Sequence, residues 1–148
     1  MLDHTTAPYA ATVLRLSLAA MWLSHALLKL LVFTIPGFES FLAAQGMPTI
    51  LAWPLVAMEL AGGALIVLGW HGRIVSLLLL PLLGGALLAH LHNGWVFSGA
   101  NGGWEYPLFL IAMSVVHVLL GDGAFSLTGA SGRAAASAQK QQPQRHTA

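Results

Sequence analysis

His25, Lys29, Glu59, His90 and Glu105 are ionisable side chains set within or at the edges of long apolar stretches. A charge at the centre of a membrane helix costs about 2.5–3.5 kcal/mol on insertion scales, and such groups generally face a bundle interior. Where they are retained, they carry proton transfer, ion pairing or hydrogen bonding to a ligand. Arg15, Leu18, Trp22, His25 and Lys29 follow one another at spacings of 3, 4, 3 and 4, a single stripe of an α-helix. Arg15 and Lys29 lie about 21 Å apart along it, and each has the reach to snorkel to its own interface. His25 lacks that reach, so the stripe is expected to face protein. Glu59 stands mid-way in Met58-Glu59-Leu60-Ala61-Gly62-Gly63. Counted inward from the outer ends, Glu59 is about 13 Å deep and His25 about 12 Å deep. At that common level the carboxylate can pair with Lys29 or His25 and remain ionised, either as a lock between two helices or as a proton-handling group.

His90 and His92 are two residues apart and point to different sides of a helix, which disfavours a shared metal. His90, one turn deeper and following Gly84, Gly85 and Ala86, is the site candidate. Glu105, between Trp104 and Tyr106, falls at the outer rim, as does Trp95. His117 shares a stripe with Tyr106, Leu110 and Met113 toward the opposite end and is read as a satisfied core histidine. The expectation is a pocket open to the outer half of the bilayer. His25, Lys29 and Glu59 would handle protons there, with His90, Glu105, Trp95 and Trp22 as ligand contacts. For a quinone, Lys29 or His90 would donate to a carbonyl and Glu59 would relay a proton. Bis-histidine haem is disfavoured because His25 and His90 differ in depth by about 8 Å. The absence of cysteine excludes disulfides, thiolate zinc, iron–sulfur clusters, covalent haem and dithiol relays.

The elements that must position these groups are membrane helices. Of 148 residues, 57% are hydrophobic and 7% charged, where a soluble domain carries roughly 25% charged. A net charge of +1 leaves no basic patch for nucleic acid. Four stretches approach the roughly 20 apolar residues of a span: about 9–33, 50–70, 74–92 and 104–120, the last the shortest. The first is too long, and too interrupted by Lys29, for a cleaved signal peptide. Residues 34–49, with Phe38, Phe41 and Leu42 between breakers, are expected to lie along the interface. His71-Gly72 is the turn between spans two and three. Residues 1–127 form the domain, and 128–148, poor in large apolar residues, read as a disordered cytoplasmic tail. Arg15, Arg73, Arg133, Lys140 and Arg145 share one side and Lys29 the other. The positive-inside rule then puts both termini in the cytoplasm. The fold class is all-α, an integral four-helix transmembrane bundle.

In this order the motifs resemble the DoxX family of small membrane proteins, from about Leu14 to Leu127. Ser24-His25-Ala26-Leu27-Leu28-Lys29 looks like the family's His-Gly-x-x-Lys end of helix one, and Gln45-Gly46-Met47-Pro48 like its Gly-hydrophobic-Pro approach to helix two. Glu59 to Gly63, Leu68-Gly69 and Arg73 resemble its Glu-x-x-Gly-Gly…Gly…Arg pattern. His92-Asn93-Gly94-Trp95 with Gly103-Trp104-Glu105-Tyr106-Pro107, and Gly121 to Leu127, resemble its later motifs. Ala26 replaces the usual Gly, and Thr128 stands where an Asp often follows. The resemblance implies an α-helical bundle associated with redox chemistry. Relatives are described as membrane subunits of thiosulfate:quinone oxidoreductases or as partners of soluble oxidoreductases. The function expected is a membrane subunit of a redox system in a bacterial-type inner membrane, meeting the quinone pool and a partner oxidoreductase or a second copy. The alternatives are a small proton-coupled transporter built on Glu59, or a structural anchor of a larger complex.

Overall fold

The computed structural model describes residues 4–99 and 101–129. Helix α1 is Ala7–Leu31, opened by Pro8 in its first turn, where a fixed φ and missing N–H do no harm. Helix α2 is Thr34–Ala44. A 3₁₀ turn, Thr49–Leu51, leads into α3, Ala52–Leu68. Helix α4 is Gly72–His90, followed by a second 3₁₀ turn, Leu91–Asn93. Helix α5 is Glu105–Leu120. The described residues contain no strand, and the protein is an all-helical membrane bundle.

Three stretches are long and apolar enough to cross a membrane: Ala7–Leu31, Thr49–Leu68 and Gly72–Asn93. The fourth expected span is a 16-residue helix, about 24 Å long, short of the ~30 Å hydrocarbon core. Helix α3 stops at Leu68, two residues before the expected end. Gly69 takes the left-handed conformation at φ 61°, which only glycine adopts without strain. His71 is left-handed as well, and α4 starts at Gly72 rather than Ile74. The 34–49 segment carries α2, which buries Phe38 and Leu42 and leaves Phe41 outward, as residues four apart on one face require.

Helix α3 lies between α1 and α4, and α5 packs on α4. The approaches are close because of Gly62 and Gly63. A Cβ on Gly62 would stand 2.6 Å from Leu79 Cδ1, and one on Gly63 2.8 Å from Leu23 Cγ. Small residues at such seams are how membrane helices gain van der Waals contact. One cluster (Leu18, Ala19, Met21, Trp22, Ile66, Leu79, Leu83, Leu110) fills the middle of the bundle. A second (Ala26, Phe38, Leu42, Ala52, Val56) lies under α2. Ala26 is fully buried there.

Residues 121–129 close the opposite end. Arg15 does not snorkel; it is 2% exposed. Its Nη1 donates to the carbonyls of Val67 (3.0 Å) and Ile66 (3.3 Å), and Nη2 to that of Ala124 (3.4 Å). Arg73 donates to Val118 and Leu119 carbonyls at the end of α5, the position where a cation suits a helix C-terminus. The Thr128 hydroxyl accepts the His71 N–H at 2.8 Å and donates to the Gly69 carbonyl at 3.1 Å. Of the tail expected from Thr128, only Thr128 and Gly129 fall among the described residues.

Candidate functional site

Lys29 and Glu59 meet across the α1–α3 seam. Nζ donates to Oε1 at 2.8 Å and to Oε2 at 2.7 Å, with side-chain exposures of 17% and 10%. Phe38 of α2 covers the ammonium, its ring centre 5.3 Å from Nζ, a cation–π contact. Both carboxylate oxygens therefore face one charged donor within an apolar surround.

His25 stands one turn before Lys29 on α1. Its Nδ1 is 2.9 Å from the Met21 carbonyl. A carbonyl only accepts, so Nδ1 carries the proton and Nε2 keeps its lone pair in the neutral ring. The ring stacks on Tyr106 of α5 at 5.8 Å between centres and 19° between planes. Tyr106 thus links α1 to the groove beyond it.

That groove has a volume of about 480 Å³, within the range of small-molecule sites. The segment ending at the first turn of α5 contributes Trp95, Phe97, Glu105 and Tyr106. The next turns contribute Leu108, Phe109 and Ala112. Its shape is held by the backbone of the 94–105 loop. Trp104 and Glu105 donate N–H groups to the carbonyls of Gly94 and Trp95, each at 3.1 Å. Trp95 meets Trp104 edge to face at 4.4 Å, and Glu105 Oε1 accepts the Phe97 N–H at 3.1 Å.

Trp95 and Glu105, expected at the rim of a pocket built by His25, Lys29, Glu59 and His90, line this groove instead, and none of those four is in its lining. His90 and Trp22 are placed elsewhere. His90 ends α4, and its Nδ1 lies 3.1 Å from the Gly102 carbonyl and 3.2 Å from that of Asn101. Asn93 supports the same turn through its bond to the Asn101 carbonyl. The expected convergence of His90 on Lys29 and Glu59 is not made. Leu91–Asn93 continue the rod as a 3₁₀ turn, the chain reverses only from Gly94, and the imidazole faces the carbonyls of the loop that folds back. Trp22 is 3% exposed among the leucines of the central cluster, and its indole N–H has no hydrogen-bond partner there.

Sequence reasoning passes over Tyr106, Phe97 and Phe109 as site residues. The available signal was the three-residue spacing of Tyr106, Phe109 and Ala112, which puts them on one face of α5. A second polar cluster, at the end closed by residues 121–129, was also missed in part. His117 is fully buried, with Nδ1 2.8 Å from Ser76 Oγ and Nε2 3.5 Å from Asp122 Oδ1. Asp122 Oδ2 accepts the Gly72 N–H at 3.1 Å, so this end has a carboxylate although Thr128 is not an Asp. Among the described residues no three His, Cys, Asp or Glu side chains cluster as a metal site would need.

Compared with known proteins, a DoxX family profile matches residues 10–92. This run holds Arg15, His25, Lys29, Glu59 and His90 and ends before Trp95, Glu105 and α5. No curated protein and no solved structure matches the chain.

Proposed function

The chain belongs to the DoxX family and is a membrane protein, and from that premise we propose that it serves as the membrane subunit of a redox system that passes electrons from a partner oxidoreductase to the quinone pool. The observation that carries the reading is the groove. It is lined by aromatic rings, and it is joined through the Tyr106–His25 stack to the turn of α1 that bears Lys29 and its partner Glu59. In this reading a planar ring would lie against Trp95, Phe97, Tyr106 and Phe109, with an isoprenoid tail along Leu108 and Ala112. His25 Nε2 is the basic nitrogen behind the groove, and the Lys29–Glu59 pair is the charge reservoir behind His25. The chain has no cysteine to relay electrons through a dithiol or a cluster, and in this reading the partner supplies them.

In a cation–proton exchanger built on Glu59, the incoming cation would have to displace an ammonium that already holds both carboxylate oxygens. That favours the redox reading. Reconstituting the purified chain with the oxidoreductase that co-purifies with it in mild detergent, and following quinol formation in vesicles, tests the proposal. Quinol is expected to form only with both proteins present, and donor turnover that ignores quinone would end the reading.

The proposed topology has four membrane-crossing helices in an inner membrane with both termini cytoplasmic, from the placement of basic residues. With α5 only 16 residues long, the bilayer thins or α5 sits off-centre. Ala44→Cys and Ala135→Cys in the otherwise cysteine-free chain are expected to react with an impermeant maleimide from opposite sides of oriented vesicles. Labelling from the same side would mean that α5 or another helix does not cross.

A further inference from the structure

From the groove's lining we infer that it binds the reduced, dihydroxy form of a quinone in preference to the oxidised, dicarbonyl form. This rests on the quinone reading above and names the redox state that the site selects. The two forms share a ring but differ at its oxygens: the quinone only accepts hydrogen bonds, whereas the quinol donates through two O–H groups. Glu105 lines the groove, and a carboxylate only accepts.

Its position is held on two sides. It opens α5, where the helix dipole favours negative charge, and Oε1 takes the Phe97 N–H at 3.1 Å. Among the described residues the ion pairs are Lys29–Glu59 and His117–Asp122, so no cation neutralises Glu105. Oε2 is left with its lone pairs. A quinone carbonyl placed there meets another oxygen's lone pairs, while a quinol O–H makes a charge-assisted bond.

The other polar groups do not reverse this. The Tyr106 phenol both donates and accepts, so it serves either form. His25 is stacked behind Tyr106 and is not part of the lining, so it adds no preference of its own. The Trp95 indole N–H is the one group that favours the carbonyl form. A neutral bond of that kind is about half as strong as a charge-assisted one, so Glu105 decides.

Tighter binding of the reduced form raises the potential of the bound couple by about 30 mV for each tenfold in affinity. Two electrons from the partner oxidoreductase and two protons from solvent convert both ring carbonyls to hydroxyls, and the site thereby draws that reduction forward.

The test uses the full chain in nanodiscs under anaerobic conditions, titrated with decylubiquinone and with decylubiquinol and read by calorimetry. Wild type is expected to bind the quinol about tenfold more tightly. Glu105→Gln keeps an oxygen for the Phe97 N–H and adds a donor, so it should bring the ratio to about one or below. Trp95→Phe removes the donor and should widen the ratio, which keeps the test decisive if the Glu105 variant folds poorly. A wild type that prefers the quinone or is indifferent, or variants that leave the ratio unchanged, would overturn the inference while leaving the quinone reading standing. Binding of neither form by the folded protein would overturn both.

Discussion

Glu59→Gln is expected to lower quinol formation by at least about 100-fold, the lower end of what a positioned proton-transfer group contributes, while the protein still inserts and folds. Gln keeps the volume and leaves one oxygen for Lys29, but it cannot bind and release a proton. The difficulty is that Lys29 then lacks a counter-ion, and breaking a buried pair from one side can cost about 3–5 kcal/mol. Two features reduce that cost here. Lys29 is 17% exposed and lies near the end of α1, from which its stem can extend to the interface, and Phe38 still faces the ammonium. The control is the double variant Lys29→Met with Glu59→Leu. Replacing both members of a buried pair by apolar groups is often neutral or stabilising, so this variant is expected to unfold no earlier than wild type and to be as inactive as Glu59→Gln. Measured activity near wild type in either variant would make the pair a structural lock and remove Glu59 from the mechanism.

Arg15→Met is expected to cost about 3 kcal/mol of stability, read as an earlier midpoint on titration from mild detergent into dodecyl sulfate. The guanidinium is nearly inaccessible and reaches three carbonyls on two separate elements. A charged-group hydrogen bond contributes about 1.5–3 kcal/mol; two of the three here are long, and losing the buried guanidinium also relieves its own desolvation, so the net cost is that of one or two good bonds. Arg15→Lys should recover little, because a single ammonium cannot fork between the Val67 and Ala124 carbonyls as a planar guanidinium does. Gly69 belongs to the same arrangement. A Cβ there would collide with Arg15 Nη1 and lie 2.6 Å from Ser126 Cβ, so the end of α3, Arg15 and the 121–129 segment form one packed unit. An Arg15→Met variant as stable as wild type would mean that this end of the bundle is held mainly by the Thr128 and Asp122 contacts.

Much of the fold was legible because lipid imposes a simple rule. Backbone polar groups must be satisfied within a helix, and apolar runs of nearly 20 residues have few alternatives. Charge and apolar periodicity were enough to find α1, α3, α4 and α5 to within a few residues. The turn at His71-Gly72 was legible, but the end of α3 and the start of α4 were each misplaced by two residues because Gly69 and His71 take left-handed conformations. That Glu59 would find a basic partner on α1 was legible for a related reason, although depth left His25 and Lys29 both open and the structure chose Lys29. Helix rise converts residue number into depth, and two opposite charges at similar depth in an apolar medium have a strong incentive to meet.

Arg15 shows where that reasoning stops. Depth alone allowed it to snorkel or to turn inward, and the choice was made by carbonyls of Val67 and Ala124, more than 50 residues away in the chain. By itself the sequence determined an all-helical membrane protein of the DoxX type, the level of its intramembrane charges and the face of α1 that carries them. Only the tertiary structure decided that His90 and Trp22 lie away from the groove, that Tyr106 joins His25 to it, and that Glu105 stands in its lining. The physical reason is that depth is a one-dimensional quantity fixed by counting along a helix. Which side chains share a cavity depends on helix rotation and on a loop folded by its own backbone hydrogen bonds.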